Sequence, residues 1–307
     1  MGGGPAFTSL VGNNFGYLGL PVDTTSADSP ADVVVLGIPY DLGTSGRAGA
    51  RHGPQGIRQA SAHLRWETRR WPWTFNALER LRVVDAGDVE IVPGESEQML
   101  DAVQQRAQAV FAAGKRLLSL GGDHFVTLPL LRAAHAVHGP LALLHFDAHT
   151  DTESSENSRY YHGSMFHRAP REKLVDCAHS VQLGIRTEYD PLQHPYQVID
   201  AAEANDLPVS EIVERLRERL GHRPVYITCD IDCLDPAFAP GTGTPVAGGL
   251  SSDRLLKILR GLKGLQLVGM DIMEVAPCYD HAEITSLAAA TLGLEFIYLL
   301  ADREQQG

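Results

Sequence analysis

Residues 141–151, LALLHFDAHTD, run from an apolar strand directly into acids and a histidine. Successive apolar residues over 141–146 are typical of a parallel strand that is covered on both faces by helices. Asp147, His149 and Asp151 stand at alternate positions, and in an extended chain alternate side chains point the same way. We therefore predict that these side chains converge at the carboxyl end of a buried strand. The alternative is a solvated polar loop.

The rest of the chain repeats this strand pattern and alternates it with stretches of helical period, which is the signature of βαβ units. The predicted strands are 33–38, 82–86, 116–120, 141–146, 180–184, 197–199, 225–229 and 267–271. The clearest predicted helices are 97–113, 209–220, 253–262 and 283–300, the third of them after a cap at 251–253. We predict a three-layer α/β/α fold with a mainly parallel sheet of about eight strands. A single domain would cover 31–307 and follow an N-terminal extension over 1–30.

Composition narrows the class of protein. The 307 residues are 44% apolar and 21% charged, which excludes a disordered or fibrous chain. The net charge of −12 argues against nucleic acid and anionic lipid as partners and favours a small cationic ligand. The four cysteines are too few and too unevenly spaced for the disulfide framework of a secreted domain. Because we find neither a targeting segment nor an apolar run of about 18 residues, we expect a cytoplasmic protein without a membrane partner.

Two further strand ends carry side chains of the same chemistry. Asp230 and Asp232 follow the strand at 225–229, and His124 follows a Gly-Gly turn after the strand at 116–120. Carboxylates that are driven together in a low-dielectric cleft repel one another, so a cation is needed to hold them. Four aspartates and two histidines carry a formal charge of −4, which two divalent ions neutralise. Oxygen-rich ligation without thiolate favours Mn²⁺ over Zn²⁺.

The six candidate metal ligands are therefore His124, Asp147, His149, Asp151, Asp230 and Asp232. Cys229 and Cys233 flank two of these acids but have the opposite strand parity, so we expect them to face away from the metals as core thiols. The glycine-rich stretch at 43–49 lacks the spacing and the lysine of a phosphate-binding loop. We expect packing or a subunit contact from the tryptophans at 66, 71 and 73.

Three motifs resemble the signature motifs of the ureohydrolase family, which includes arginases, agmatinases, guanidinobutyrases and formimidoylglutamases. They are GGDH at 121–124, DAHTD at 147–151 and DIDCLDP at 230–236. The resemblance begins at about residue 31, covers essentially all the chain beyond it and implies an arginase-like fold. Three further stretches are most similar to bacterial agmatinases. These are TSGRAG at 44–49, FVTLP at 125–129 and APGTGTP at 239–245.

The resemblance implies a dinuclear site with two Mn²⁺ ions per chain. One ion would be held by His124, Asp147, Asp151 and Asp230, and the other by His149, Asp147, Asp230 and Asp232. Asp147 and Asp230 would bridge the ions, together with a hydroxide that is the nucleophile. The resemblance also implies that His162 transfers a proton and that Glu274 pairs with a guanidinium group. Asp151 or His162 would deliver the proton to the leaving amine.

The activity that the resemblance implies is hydrolysis of agmatine to putrescine and urea, a step of polyamine biosynthesis, by a homo-oligomer that is a trimer or hexamer. Glu153 and Glu156 in the following loop favour a substrate with a cationic tail, although Asn157, the loop serines and Arg159 could contact a carboxylate. One alternative is a ureohydrolase that acts on guanidinobutyrate, guanidinopropionate or arginine. Others are a single-zinc deacylase and a catalytically silent binding or regulatory subunit.

Overall fold

The computed structural model describes residues 16–23, 29–67, 69–154 and 159–303. Its strands are β1 (Val33–Ile38), β2 (Val83–Asp88), β3 (Arg116–Gly121), β4 (Ala142–Phe146), β5 (Val181–Ile185), β6 (Gln197–Asp200), β7 (Val225–Asp230) and β8 (Leu267–Met273). They form one sheet in the order β2-β1-β3-β8-β7-β4-β5-β6. Each neighbouring pair is parallel, so the connections cross over the faces of the sheet.

Helices cover both faces of this sheet. Their bounds are α1 (Gly53–Ser61), α2 (Ala77–Arg80), α3 (Ser96–Ala112), α4 (Thr127–His138), α5 (Met165–Arg171), α6 (Ala201–Asp206), α7 (Val209–Leu220), α8 (Ser252–Arg260) and α9 (Ile284–Arg303). Alternate strand residues enter two apolar clusters. Val33 and Val35 join the cluster that contains α1, α2 and α6 to α9, whereas Val34 and Leu36 join the one that contains α3 to α5. The predicted three-layer α/β/α fold is therefore confirmed.

The eight predicted strands are all present, each with ends within two residues of the prediction. The four predicted helices correspond to α3, α7, α8 and α9, and the Ser251 hydroxyl accepts from the Arg254 N–H as the predicted cap. Five described helices, α1, α2 and α4 to α6, were not predicted. Three of these have seven residues or fewer, too few to show a helical period. Helix α4 buries seven of its twelve residues, and its exposed residues include the apolar Ala136 and Val137, so its sequence shows no clear polar stripe.

Helix α9 is long and apolar enough to cross a membrane by length and composition, with a mean hydropathy of 1.7. However, 83% of its apolar window is buried inside the fold. A helix that is apolar all round is typical of the core of a large domain. Helix α9 is therefore a core helix of the domain.

The candidate site lies where the four central strands end. Strands β3, β8, β7 and β4 are consecutive in the sheet, and ligands of open parallel sheets bind beyond the carboxyl ends of the strands. The candidate residues at or just after these ends are, in the same order, His124, Glu274, Asp230 and Asp147. The turn after β3 requires glycine, because a Cβ on Gly122 would lie 1.7 Å from the carbonyl oxygen of Tyr40.

Part of the predicted N-terminal extension packs on the sheet domain. Tyr17 is buried, its hydroxyl donates to the carbonyl of Ala290 (2.6 Å), and its backbone N–H donates to Asp85 (2.6 Å). Asp85 in β2 also accepts two hydrogen bonds from Arg58 of α1, at 2.8 and 2.9 Å. One buried guanidinium therefore joins α1 to β2 and orients the acid that holds Tyr17.

Replacing Arg58 by methionine should destabilise the protein by about 3–5 kcal/mol, because Asp85 would stay buried without its ion partner. Arg215→Met is the matched control, since the ion pairs of Arg215 with Glu203 and Glu211 are much more exposed. Chemical denaturation of both variants measures the difference. We expect the control to unfold close to the wild-type midpoint, and an unchanged midpoint for Arg58→Met would contradict this role.

Candidate metal centre

The six candidate ligands meet in two adjoining groups beyond the ends of β3, β4 and β7. In the first group, Nδ1 of His124 is surrounded by three carboxylate oxygens. The distances are 3.1 Å to Oδ2 of Asp147, 3.0 Å to Oδ2 of Asp151 and 3.3 Å to Oδ2 of Asp230. His124 and Asp147 are fully buried, and the other two acids are only slightly exposed. The first group is thus largely buried, with Asp151 and Asp230 at its slightly exposed edge.

The second group shares one carboxylate with the first. Nδ1 of His149 lies 3.3 Å from Oδ1 of Asp147 and 3.1 Å from Oδ2 of Asp232. Asp147 therefore directs Oδ2 at the first group and Oδ1 at the second, which is the arrangement that a bridging ligand requires. Asp230 directs Oδ2 at the first group, while its Oδ1 accepts a hydrogen bond from the backbone N–H of Asp232 (2.9 Å).

The ligands converge because of turns that follow the strands, and not because of the predicted alternation of side chains along a strand. Strand β4 ends before Asp147, and Asp151 has a left-handed backbone with φ of +50°. Likewise β7 ends at Asp230, and Asp232 lies in a 3₁₀ turn, Ile231–Cys233. The predicted convergence is present, but strand alternation as its cause was wrong. Turns outside the strands aim the side chains.

The hydrogen bonds of His124 show how a divalent ion would fit the first group. Nε2 of His124 lies 2.8 Å from the Thr228 hydroxyl, which itself donates to Oδ1 of Asp271 (2.6 Å). Because the Thr228 hydroxyl donates its hydrogen to Asp271, it can only accept from His124, so Nε2 carries the ring proton. Nδ1, which is buried and lacks a hydrogen-bond partner within the described ranges, then points its lone pair at three carboxylates. Such a lone pair and carboxylates repel unless a cation lies between them.

Where no cation is bound, protons must relieve this repulsion. Burial and the carboxylates of Asp232 and Asp147 hold the pKa of Asp230 well above its usual range. Burial and Asp147 likewise raise the pKa of Asp151 to about 7. Burial acts to lower the pKa of His149, but its two carboxylate neighbours outweigh burial and raise that pKa to about 12. The donor set therefore fits divalent ions, which would replace these protons.

Cys229 and Cys233 belong to the apolar core. Both are fully buried in the apolar cluster that contains α1, α2 and α6 to α9, and their sulfur atoms lie 3.8 Å apart. Burial holds the pKa of the Cys233 thiol well above its usual range, so this thiol stays protonated. The prediction that these cysteines are core thiols is confirmed.

His162 and Glu274 lie beside the first group and bond to one another. Nδ1 of His162 is 2.7 Å from Oε1 of Glu274, which also accepts from the backbone N–H of His124 (2.9 Å). The other oxygen, Oε2, is buried and has no hydrogen-bond partner in the part of the chain that the structure describes. Burial acts to lower the pKa of His162, but the bond to Glu274 outweighs it and raises that pKa to about 9. The pair thus offers a free acceptor and a proton-bearing imidazole.

A cavity of about 420 Å³ opens over both groups. Its lining includes His149, Asp151, Asp230 and His162. Two further acids, Glu153 and Glu188, also line it, and neither lysine nor arginine does so among the described residues. Of the other loop residues with a predicted role, Glu156 and Asn157 lie outside the described residues, and Arg159 pairs with Glu97 (3.0 Å). The described lining therefore suits a cationic ligand.

Four buried polar residues at the site were missed by the sequence prediction. They are His145 in β4, Gln182 in β5, Thr228 in β7 and Asp271 in β8, and each contacts a candidate ligand directly or through one further side chain. Burial lowers the pKa of His145 to about 4, so its ring is neutral. A polar residue inside an otherwise apolar buried strand is the signal that could have identified them, since such a residue requires a hydrogen-bond partner.

Known proteins match this chain over nearly its whole length. A model described as "Arginase family" matches residues 31–298. An agmatinase of Serratia proteamaculans (strain 568) is 57% identical over 297 residues, which cover 96% of each chain. The crystal structure of a hypothetical agmatinase from Burkholderia thailandensis has a TM-score of 0.92 at 42% identity, with 97% of this chain and 94% of that one covered. Proclavaminate amidino hydrolase from Streptomyces clavuligerus has a TM-score of 0.91 at 40% identity, with 96% and 100% covered.

Loading the metal-free protein with Mn²⁺ at neutral pH should release at least one proton per chain. His149 must lose its Nδ1 proton to bind an ion, and its pKa of about 12 means that it carries that proton in the metal-free site. Metal affinity should therefore fall as the pH is lowered, because protons compete for the same lone pairs. Calorimetric titration in two buffers of different ionisation enthalpy measures the release. A binding heat independent of the buffer would contradict the expected exchange.

Proposed function

The chain belongs to the arginase family, and from that premise we propose that it is a manganese-dependent agmatinase, which hydrolyses agmatine to putrescine and urea. The observation that carries the proposal is the pair of adjoining His/Asp groups beneath a cavity with an acidic lining. Agmatine has a guanidinium group at one end and an ammonium group at the other. Both ends therefore match the charge of the described lining.

Two Mn²⁺ ions would occupy the two groups. His124, Asp147, Asp151 and Asp230 would hold one ion, and His149, Asp147 and Asp232 would hold the other. Asp230 would serve the second ion through Oδ1, the oxygen that accepts from the backbone N–H of Asp232. Carboxylate and imidazole ligands without thiolate support manganese. When bound, the ions lower the pKa of water towards neutrality and polarise the substrate.

Glu274 is placed to orient the guanidinium group. Its Oε1 already accepts from His124 and His162, which leaves Oε2 as the buried acceptor without a partner among the described residues. A guanidinium N–H that donates to Oε2 would satisfy this oxygen and pair opposite charges. The substrate carbon would then lie beside the first group of ligands.

His162 is placed to supply a proton to the leaving amine. An alkyl amide anion is too basic to depart, so the nitrogen must be protonated as the C–N bond breaks. With a pKa of about 9, His162 carries a proton at neutral pH, and it lines the cavity. Its Nδ1 stays bonded to Glu274, so the proton would leave from Nε2. In the structure Nε2 lies 2.8 Å from the Ser45 hydroxyl and accepts from the backbone N–H of Ser45 (3.1 Å), so the latter contact must open when Nε2 takes up a proton. Asp151 also lines the cavity and is the second residue able to pass a proton.

Glu153 and Glu188 support agmatine over the other guanidino substrates. Guanidinobutyrate and guanidinopropionate carry only a carboxylate away from the guanidinium group, and arginine carries a carboxylate beside its ammonium group, whereas agmatine carries an ammonium group alone. Both acids line the cavity and are exposed, so they would attract the ammonium group and repel a carboxylate. Salt screens exposed charges within about 8 Å, which limits the size of this preference.

We also propose an assembly and a cellular location for this enzyme. We place the enzyme in the cytoplasm as a homo-oligomer, a trimer or hexamer. Trp66 and Trp71 are 64% and 84% exposed, which supports a subunit contact because tryptophan is enriched at interfaces. Trp73 is instead buried and stacks on Tyr298. Residues 31–307 would form the catalytic unit and residues 1–30 an N-terminal extension.

Replacing His162 by asparagine should lower kcat for urea release by about a hundredfold or more and leave the metal content unchanged, because the variant loses a proton donor and no ligand. His63→Asn, at an exposed imidazole outside the cavity lining, is the control and should behave as wild type. Urea assays together with metal analysis of the purified proteins measure both effects. Loss of metal from the His162 variant, or normal turnover, would disprove the proton-transfer role.

The enzyme should prefer agmatine to arginine in kcat/KM at equal Mn²⁺. Replacing both Glu153 and Glu188 by glutamine should raise KM for agmatine by about three- to tenfold with little change in kcat, because the acids act on the distal ammonium group. Glu214→Gln is the control, an exposed acid outside the cavity lining. Arginine turnover equal to or above that of agmatine would contradict the agmatinase activity while leaving family membership intact. So would activity on guanidino acids alone.

A further inference from the structure

His145 is a buried imidazole that the proposed ligand sets do not use. It is the penultimate residue of β4 and is 0% exposed. Its Nε2 lies 2.7 Å from Oδ2 of Asp147, and its Nδ1 lies 2.9 Å from Nε2 of Gln182 in β5. Both ring nitrogens therefore form hydrogen bonds with protein side chains. In this respect His145 differs from His124, whose Nδ1 has no hydrogen-bond partner within the described ranges.

The contacts of Gln182 determine which ring nitrogen of His145 carries the proton. Nε2 of Gln182 lies 2.7 Å from the carbonyl oxygen of Thr150, and a carbonyl only accepts, so this end of the amide is the NH₂ group. The amide oxygen accepts from Nε2 of His194 (2.7 Å). The second N–H of the amide donates to Nδ1 of His145, which leaves the ring proton on Nε2. His145 therefore donates a hydrogen bond to Asp147.

This hydrogen bond acts on the carboxylate that both ligand groups share. Oδ2 of Asp147 faces His124 (3.1 Å) and Oδ1 faces His149 (3.3 Å). The side-chain torsion of a carboxylate is broad, so rotation would turn its oxygens away from the two groups. His145 donates to Oδ2, and the backbone N–H of His149 donates to Oδ1 (2.6 Å). Together these two hydrogen bonds hold the carboxylate of Asp147 in the orientation in which one oxygen faces each group.

The same glutamine also fixes the turn that carries the next ligand. Gln182 is fully buried and donates to the carbonyl of Thr150, the residue before Asp151. Asp151 has a φ of +50°, a conformation that persists only where the surroundings hold it. One amide therefore acts on Asp147 through His145 and on Asp151 through the backbone.

We propose that His145 and Gln182 are positioning residues, which hold Asp147 so that each of its oxygens faces a different metal position. The inference rests on the proposed dinuclear function and identifies what keeps the shared carboxylate between the two ions. Groups that orient metal ligands in this way contribute about tenfold to a hundredfold in metal affinity.

Metal binding by three variants of the full chain tests the proposal. His145→Phe keeps a ring but removes the donor, Gln182→Met keeps the side-chain length but removes both N–H groups, and His145→Gln restores an N–H donor. We expect the wild type to bind two Mn²⁺ ions per chain. In His145→Phe and Gln182→Met the affinity for the more weakly held ion should fall by about tenfold or more. His145→Gln should recover most of the lost affinity.

Manganese titration followed by the resonance signal of free Mn²⁺ measures both affinities without reference to activity. His138→Phe, at the far end of α4, is the control and should bind as the wild type does. Circular dichroism of the metal-free proteins checks folding, and Gln182→Met carries the test alone if His145→Phe fails to fold.

Wild-type affinities in both His145→Phe and Gln182→Met would overturn the positioning role. Equal weakening in His145→Gln and His145→Phe would overturn it too, because the ring itself would then matter and not the donated hydrogen bond. A wild-type protein that bound a single ion would instead contradict the dinuclear function. The affinities of the variants for that one ion would still decide whether His145 positions Asp147.

Discussion

Buried carboxylates that repel one another dominate the energetics of the site edge of the sheet. Asp147, Asp151, Asp230 and Asp232 each place an oxygen between 3.0 and 3.3 Å from an imidazole nitrogen at one edge of the sheet. Charges gathered in a low-dielectric site destabilise the fold unless they are neutralised. The positions are compatible only with bound cations or bound protons. Metal binding and the stability of this edge are therefore coupled.

The fold meets this constraint with rigid backbone geometry. The four central strands bring their carboxyl ends together, and hydrogen bonds from backbone N–H groups then orient the carboxylates of Asp147, Asp230 and Asp232. Asp151 and Glu274 both have positive φ, and such strain in a non-glycine residue is typical of functional sites. Ligands built on strand ends are held more precisely than ligands on long loops. The sheet therefore supplies the precision that a shared carboxylate requires.

Sequence reasoning predicted the sheet and the residues that meet at its edge, because both signals are local. Apolar runs mark the strands, and acids directly after them mark the site. The contacts that orient the ligands were not predictable in this way. His145 is aligned with Gln182 only through the β4–β5 register, and Thr228 with Asp271 only through the β7–β8 register. Such pairs form only between strands that are neighbours in the sheet, and the pattern of apolar residues does not reveal the order of the strands.

We propose that two metal positions share the carboxylate of Asp147, whose two oxygens face the two groups of ligands. Low-temperature electron paramagnetic resonance of the fully manganese-loaded protein tests it most directly, because ions bridged by one ligand are magnetically coupled. We expect the saturated protein to show the spectrum of a coupled ion pair. A saturated protein that shows only the spectrum of isolated Mn²⁺ ions would contradict it.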